Sequence, residues 1–347
     1  MKREDLLNRP VISIDLEKVT SVKDLVESFK FSSIQARNIA KCAQVYENML
    51  TDKARPTIFL GLSGPLIAGG LRKVIADMIE YGIVDVIVTI GAIPYQDFYN
   101  ARGYKHYIGS TNIDDVMLRD FYIDRIYDTF VDERKFQETD LEIGRFAAKL
   151  EQRSYSSREF LELLGKEVKD SNSIIGAAVK HNVPIFCPTI HDSSIGIGLT
   201  EYYAQQKRKG KNCLSIDLIR DNWEIVQIKI KSKKTGVIYI GGGVPKNYIQ
   251  QTAVIGEVLG YKPKGHDYAF QITTDSPQWG GLSGCTLEEA QSWGKIAKNA
   301  KKACAYVEAT VALPLIVGYI LQKGLQKNRE RLKFYWDGVE LKKIAKY

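Results

Sequence analysis

Residues 57–89 read TIFLGLSGPLIAGGLRKVIADMIEYGIVDVIVT. Thr57–Gly61 is a short apolar run between Pro56 and a glycine-rich turn, a strand candidate. Leu66 to Tyr81 carries apolar residues at helical spacing (Ile67, Leu71, Ile75, Met78, Ile79). Val84–Thr89 then returns to β-branched residues over the length of a strand. A strand, glycine turn, helix and second strand in succession form the unit from which parallel sheets are built.

The alternation continues along the chain. Val183–Cys187, Gly236–Ile240, Asp267–Ile272 and Ala303–Val307 are further strand candidates. Asp217–Ile230, Val244–Leu259, Leu287–Asn299 and Val311–Gln322 are predicted helices. Nearly continuous apolar strands belong to a sheet covered on both faces. The predicted fold class is therefore α/β, a doubly wound, Rossmann-like, mostly parallel sheet, spanning residues 53–323. Residues 1–52 are expected to form a helical N-terminal extension, with Ser33 capping a helix over Ile34–Met49. Residues 113–165 are highly charged and read as mostly helical. Residues 324–347 form a basic tail carrying Phe334, Tyr335 and Trp336, expected to pack on the surface or on a neighbouring subunit.

Composition narrows the function classes. The chain is 44% apolar and 26% charged, ordinary for a globular protein. No apolar run approaches the roughly 18 residues of a membrane span, and the opening MKREDLLNRP lacks the apolar segment of a signal peptide. A cytoplasmic protein with no membrane partner is expected. The five cysteines are scattered without a C-x-x-C pair, and the four histidines are dispersed. Neither a disulfide framework nor a metal centre is expected. The net charge of +8 is spread over residues 205–211, 229–234 and the tail. It accompanies no nucleic-acid-binding motif, so nucleic acid is not the expected partner.

Several predicted strands end in small or polar residues: Gly61–Gly64, Thr89–Ala92, Gly241–Gly243, Thr273–Asp275 and Glu308–Thr310. In a doubly wound sheet such ends line the ligand crevice. The Gly241–Pro245 turn can let the main chain approach a pyrophosphate at a helix N-terminus. It lacks the G-x-G-x-x-G fingerprint, so a tight structural turn accounts for it equally well, and the same holds for Gly61–Pro65. His191–Asp192 can hold a ribose hydroxyl or cap a helix. Lys295, in Ser292-Trp-Gly-Lys295, can form a Schiff base if burial beside Trp293 favours the neutral amine. On pattern alone a solvated helix lysine is the simpler reading.

The run GGLSGCTLEEAQSWGKI (280–296) resembles the deoxyhypusine synthase family. TIFLG near 57, VDVIVT near 84, SIIGAAVKHNVPIFCP near 173 and GGGVPKN near 241 extend the resemblance in order, from about Arg3 to Lys323. The resemblance implies an NAD-dependent transferase in which a polyamine is oxidised to an imine and its aminobutyl group is captured on a lysine. That group then passes to an acceptor amine. Lys295 is by resemblance the nucleophile, and Trp293 lines the polyamine channel. Ser63, Gly64, Thr89, Asp192, Gly242, Gly243, Thr274, Glu308 and Ala309 are the implied NAD contacts. A homotetramer, as a dimer of dimers with sites built across the tight dimer, is implied as well.

Several substrate positions depart from the family pattern. Gln96 falls where a glutamate binds amine, Ile197 where an aspartate anchors the far ammonium, and Asn247 where a histidine handles a proton. Trp279 and Leu282 replace aspartates, while Asp275 and Glu289 are carboxylates able to serve a repositioned amine. Losing carboxylates from a dicationic site weakens binding of a dication. The expected activity is aminoalkyl transfer from a polyamine or diamine, with a free amine as acceptor as in homospermidine synthesis. The alternatives are a true deoxyhypusine synthase modifying a lysine of the hypusine-containing translation factor, and a non-catalytic member of the family.

Overall fold

The computed structural model describes residues 2–347. Six parallel strands form the central sheet: β1 (Thr57–Leu62), β2 (Val86–Thr89), β3 (Ile185–Phe186), β4 (Thr235–Ile240), β5 (His266–Thr273) and β6 (Ile296–Tyr306). Their order across the sheet is β3-β2-β1-β4-β5-β6. This is the doubly wound arrangement, in which the chain leaves β1 in opposite directions and opens a crevice between β1 and β4.

Side-chain alternation along each strand feeds two apolar layers. Ile58, Leu60 and Leu62 of β1 join helices α1 (Ile34–Thr51), α2 (Arg72–Glu80) and α5 (Ala309–Gln322) through Tyr46, Met49, Ile75, Ile79 and Ile316. Phe59, Val86, Val237 and Tyr239 join helices α3 (Leu218–Lys231) and α4 (Gly243–Val258) through Ile225, Ile228 and Ile249. The expected α/β fold with helices on both faces is the fold observed. Among the described residues no helix is long and apolar enough to cross a membrane.

Two local expectations, the helix over 287–299 and the Ser33 cap, are corrected. Residues 287–299 are not one helix: only Glu289–Ser292 is helical, and β6 begins at Ile296. Gly294, at φ +69°, takes the left-handed conformation that ends helices, and the Lys295 N–H closes onto the Ala290 carbonyl at 3.1 Å. Residues 113–165 are mostly helical, through Asp115–Asp120, Glu133–Lys149 and Ser157–Lys166, with Ile123–Ile126 and Thr129–Asp132 pairing with His106–Ile108 in a small antiparallel sheet. Ser33 stands at the N-cap position of α1, but its hydroxyl caps no N–H of the helix, which Ile34 enters at φ +56°. The basic tail packs on the surface, with Leu332–Asp337 and Glu340–Lys346 forming a β-hairpin. It is laid on α3 by the Gln227 side chain, which donates to Val339 O and accepts from the Leu341 N–H, both at 2.8 Å.

Candidate active site

Every predicted cofactor residue follows a carboxyl end of the central sheet. Ser63 and Gly64 come after β1, Thr89 ends β2, Asp192 follows β3, Gly242 and Gly243 follow β4, Thr274 follows β5, and Glu308 and Ala309 follow β6. Residues far apart in the chain thus share one edge because the strands run parallel. Ser63, Gly64, Gly242, Thr274, Glu308 and Ala309 line a single cleft of about 410 Å³, together with Thr273, Asp275 and Ser283. Thr89 and Asp192 lie beyond the β1–β4 crevice, over the neighbouring pair β2 and β3. The 190–193 loop abuts the turn after β2, where a Cβ on Gly91 would overlap Ser193.

The glycine turn is built for close approach. Gly241 and Gly243 have φ of +73° and +57°, conformations that cost an L side chain about 1–2 kcal/mol. The Ser63 hydroxyl accepts the Gly242 N–H at 2.9 Å and donates to main-chain oxygen of the same turn, fixing β1 to β4 across the crevice. A Cβ on Gly64 would meet almost nothing, so Gly64 leaves main chain bare towards the cleft. With the first turn of α4 opening at Gly243, free N–H groups and the helix dipole face the same space. These features fit a dinucleotide's phosphates. The Glu308 carboxylate accepts the Thr310 N–H at 2.7 Å, capping α5 at the rim of the cleft.

The predicted amine site sits on the crossover from β5 to β6. Lys295 is the last of three residues joining the short helix to the strand: its N–H bonds Ala290 O, and its carbonyl accepts the His266 N–H at 3.0 Å. Both main-chain ends are held, which fixes where the side chain leaves the backbone. Its Nζ lies 5.3 Å from the centre of the Trp293 ring and donates to Asn247 Oδ1 at 3.1 Å. Among the described residues Lys295 makes no ion pair with a carboxylate. Glu289, at the start of the short helix, lies beside the Cys285 thiol.

The structure brings Lys295, Trp293, Asn247 and Glu289 into one neighbourhood. Asp275 stands apart from them in the glycine-turn cleft, its carboxylate accepting the Ser276 N–H at 2.9 Å. Gln96 is elsewhere again, buried on the Ala92–Ala101 helix with its Oε1 lacking a protein partner. Segment 283–295 connects the two centres, since Ser283 lines the cleft and Lys295 ends the segment. Lys246 and Gln271, buried between them, went unnoticed in the sequence. A lysine in GGGVPKN carries no mark of burial, and Gln271 lies within an ordinary strand pattern.

The chain matches the family model for deoxyhypusine synthase over residues 24–320. It is 46% identical to "Probable deoxyhypusine synthase 2" of Methanosarcina acetivorans, covering 96% of each chain. It is 42% identical to the "Deoxyhypusine synthase-like protein" of Chlorobaculum tepidum, covering 96% of this chain and 95% of that one. Among solved structures, a "putative deoxyhypusine synthase" from Entamoeba histolytica has the same fold, with a TM-score of 0.63 at 21% identity over 89% of this chain and 96% of that one. Over nearly its whole length the chain belongs to the deoxyhypusine synthase family, a family of transferases.

Proposed function

We propose that the chain is an NAD-dependent aminoalkyl transferase that works on polyamines or diamines through an imine on Lys295. The observation that carries this reading is the setting of the Lys295 amine, over the Trp293 ring and against an amide oxygen rather than a carboxylate. A purely structural lysine has no need of either partner. A nicotinamide held by the glycine-turn cleft supplies hydride acceptance from the donor amine and hydride return to the product. Lys295 Nζ attacks the oxidised carbon and displaces the leaving amine, forming the enzyme imine. An acceptor amine then displaces Lys295, and the transferred group leaves on it. Asn247 orients Nζ, and the Trp293 face shields a passing cation.

A free amine is the favoured acceptor. Ile197, Trp279 and Leu282 are exposed apolar side chains at positions where the family resemblance implies carboxylates. Their exposure, with that of Trp293, also supports a second subunit closing the site, as in the implied tetramer. Asp275, remote from Lys295 within one chain, is a position such a partner would add. The second reading, transfer to a lysine of the translation factor, is favoured by the names of the archaeal relatives.

Incubation of the purified protein with NAD and single polyamines, followed by mass spectrometry of the amines, tests the proposal. A new amine formed without any protein acceptor is expected. Product that forms only when the translation factor is added would replace the free-amine reading with the second one.

A further inference from the structure

Lys246 lies in the first turns of α4 with its side chain almost wholly buried, at 1% exposure. Its Nζ donates to Gln271 Oε1 at 2.9 Å and to the Cys285 carbonyl. Both acceptors are neutral, and burial pushes the ammonium below the usual lysine range. An apolar side chain at this position would avoid the cost of burying an amine without a paired charge. What the amine does hold is a junction. The same Gln271 amide donates Nε2 to Gly241 O at 2.9 Å and to Ser283 O at 2.7 Å. Ser283 is packed so tightly on the turn that a Cβ on Gly242 would lie 2.4 Å from its Cα.

Four pieces of the site therefore meet at one buried pair of side chains. They are the glycine turn, the start of segment 283–295, strand β5, and α4, whose next residue Asn247 holds the Lys295 amine. We propose that Lys246 is a positioning residue that couples occupancy of the glycine-turn cleft to the placement and reactivity of Lys295. This rests on the reading of Lys295 as the reacting amine and of the cleft as the dinucleotide site. A ligand drawn against the Gly241–Gly243 turn acts on Gly241 and Ser283 together, because one amide holds both carbonyls. Lys246 carries that constraint to Cys285, hence towards Lys295, and to Asn247 along its own helix. The coupling is reciprocal, so a change at Lys295 is felt in the cleft.

Reductive alkylation of Lys295 by butyraldehyde and cyanoborohydride, quantified by peptide mapping with and without saturating NAD, reads the coupling without requiring turnover. NAD binding is measured in parallel by equilibrium dialysis. In the wild-type protein NAD is expected to change the Lys295 labelling rate by about fivefold or more. In Lys246→Met that change should shrink to less than about twofold while NAD still binds. Gln271→Glu is the second variant, in case Lys246→Met does not fold. It keeps the volume and gives Lys246 a charged partner, but removes both N–H donors, and the same loss of coupling is expected. An NAD effect of wild-type size in either folded variant, or no NAD effect in wild-type protein that binds NAD, overturns the proposal. Failure of the underlying reading has a different signature: Lys295 reacting no faster than the exposed Lys298, or no binding of NAD at all, and either takes the coupling down with it.

Discussion

The Lys295 amine donates to Asn247 Oδ1 at 3.1 Å, tying the crossover before β6 to the helix that opens at the glycine turn. The contact joins the two parts of the site that share no sequence neighbourhood. Asn247→Ala removes the acceptor and leaves the lysine free to swing. Misplacing a reacting group by about 1 Å can cost about 100-fold, so kcat for amine transfer should fall by about 10- to 100-fold. KM should change little, and the melting temperature should stay near that of the wild type. Steady-state kinetics with calorimetry on the same preparations checks this.

The glycine turn should be intolerant of side chains. Gly243→Ala places a Cβ on a residue at φ +57°, and Gly242→Ala drives one into Ser283. The first variant strains the turn by about 1–2 kcal/mol, and the second must push segment 283–295 away. Both should weaken NAD binding by about tenfold or more, corresponding to a loss of about 1.4 kcal/mol. Isothermal titration with NAD measures the effect directly.

Stability at the opposite end of the sheet depends on a buried ion cluster. Asp85 accepts from Arg55 at 2.7 and 2.8 Å and from Arg329 at 2.7 Å, all three side chains being buried. Burial opposes the charge on Asp85, but the two guanidiniums win and hold its carboxyl well below the usual range. Removing one partner of a buried pair leaves an uncompensated charge at a cost of about 3–5 kcal/mol. Asp85→Asn, which strands two arginines, should show a loss of that size in urea denaturation. The C-terminal hairpin should be released early, because Arg329 anchors its start.

Asp221 sets a pH dependence of the opposite sign. It is fully buried, and burial together with nearby Glu224 pushes its pKa up to about 7, although Ser157 and Arg158 main-chain contacts pull the other way. Between about pH 4 and pH 7 the folded chain holds a proton that the unfolded chain has lost, so this group's contribution to stability falls as pH rises. Asp221→Asn should therefore be stabilised relative to the wild type at pH 8 and less so at pH 5. Urea midpoints at the two pH values check the sign, and an equal difference at both would refute it.

The strand–turn–helix alternation was legible because buried parallel strands are apolar throughout. The small and polar strand ends were legible for the same reason, whereas their assignment as cofactor contacts rests on the family resemblance. The crossover before β6 does not continue as a helix, because the stop at Gly294 depends on a left-handed turn that only a glycine's context reveals. β6 itself, with Lys298, Lys301 and Lys302 along it, looks like an edge strand defended by charge rather than a buried one. The buried Lys246–Gln271 pair was invisible because burial of a polar side chain is a property of packing. The sequence carried the residue types, and only the fold brought them into contact.

Borohydride trapping tests the central claim most directly. The protein is incubated with NAD and a panel of polyamines, reduced, digested and mapped. The expected result is a stable aminoalkyl adduct on Lys295, dependent on NAD and absent from Lys295→Ala. An adduct that persists undiminished in Lys295→Ala, or no adduct with any polyamine, would contradict it.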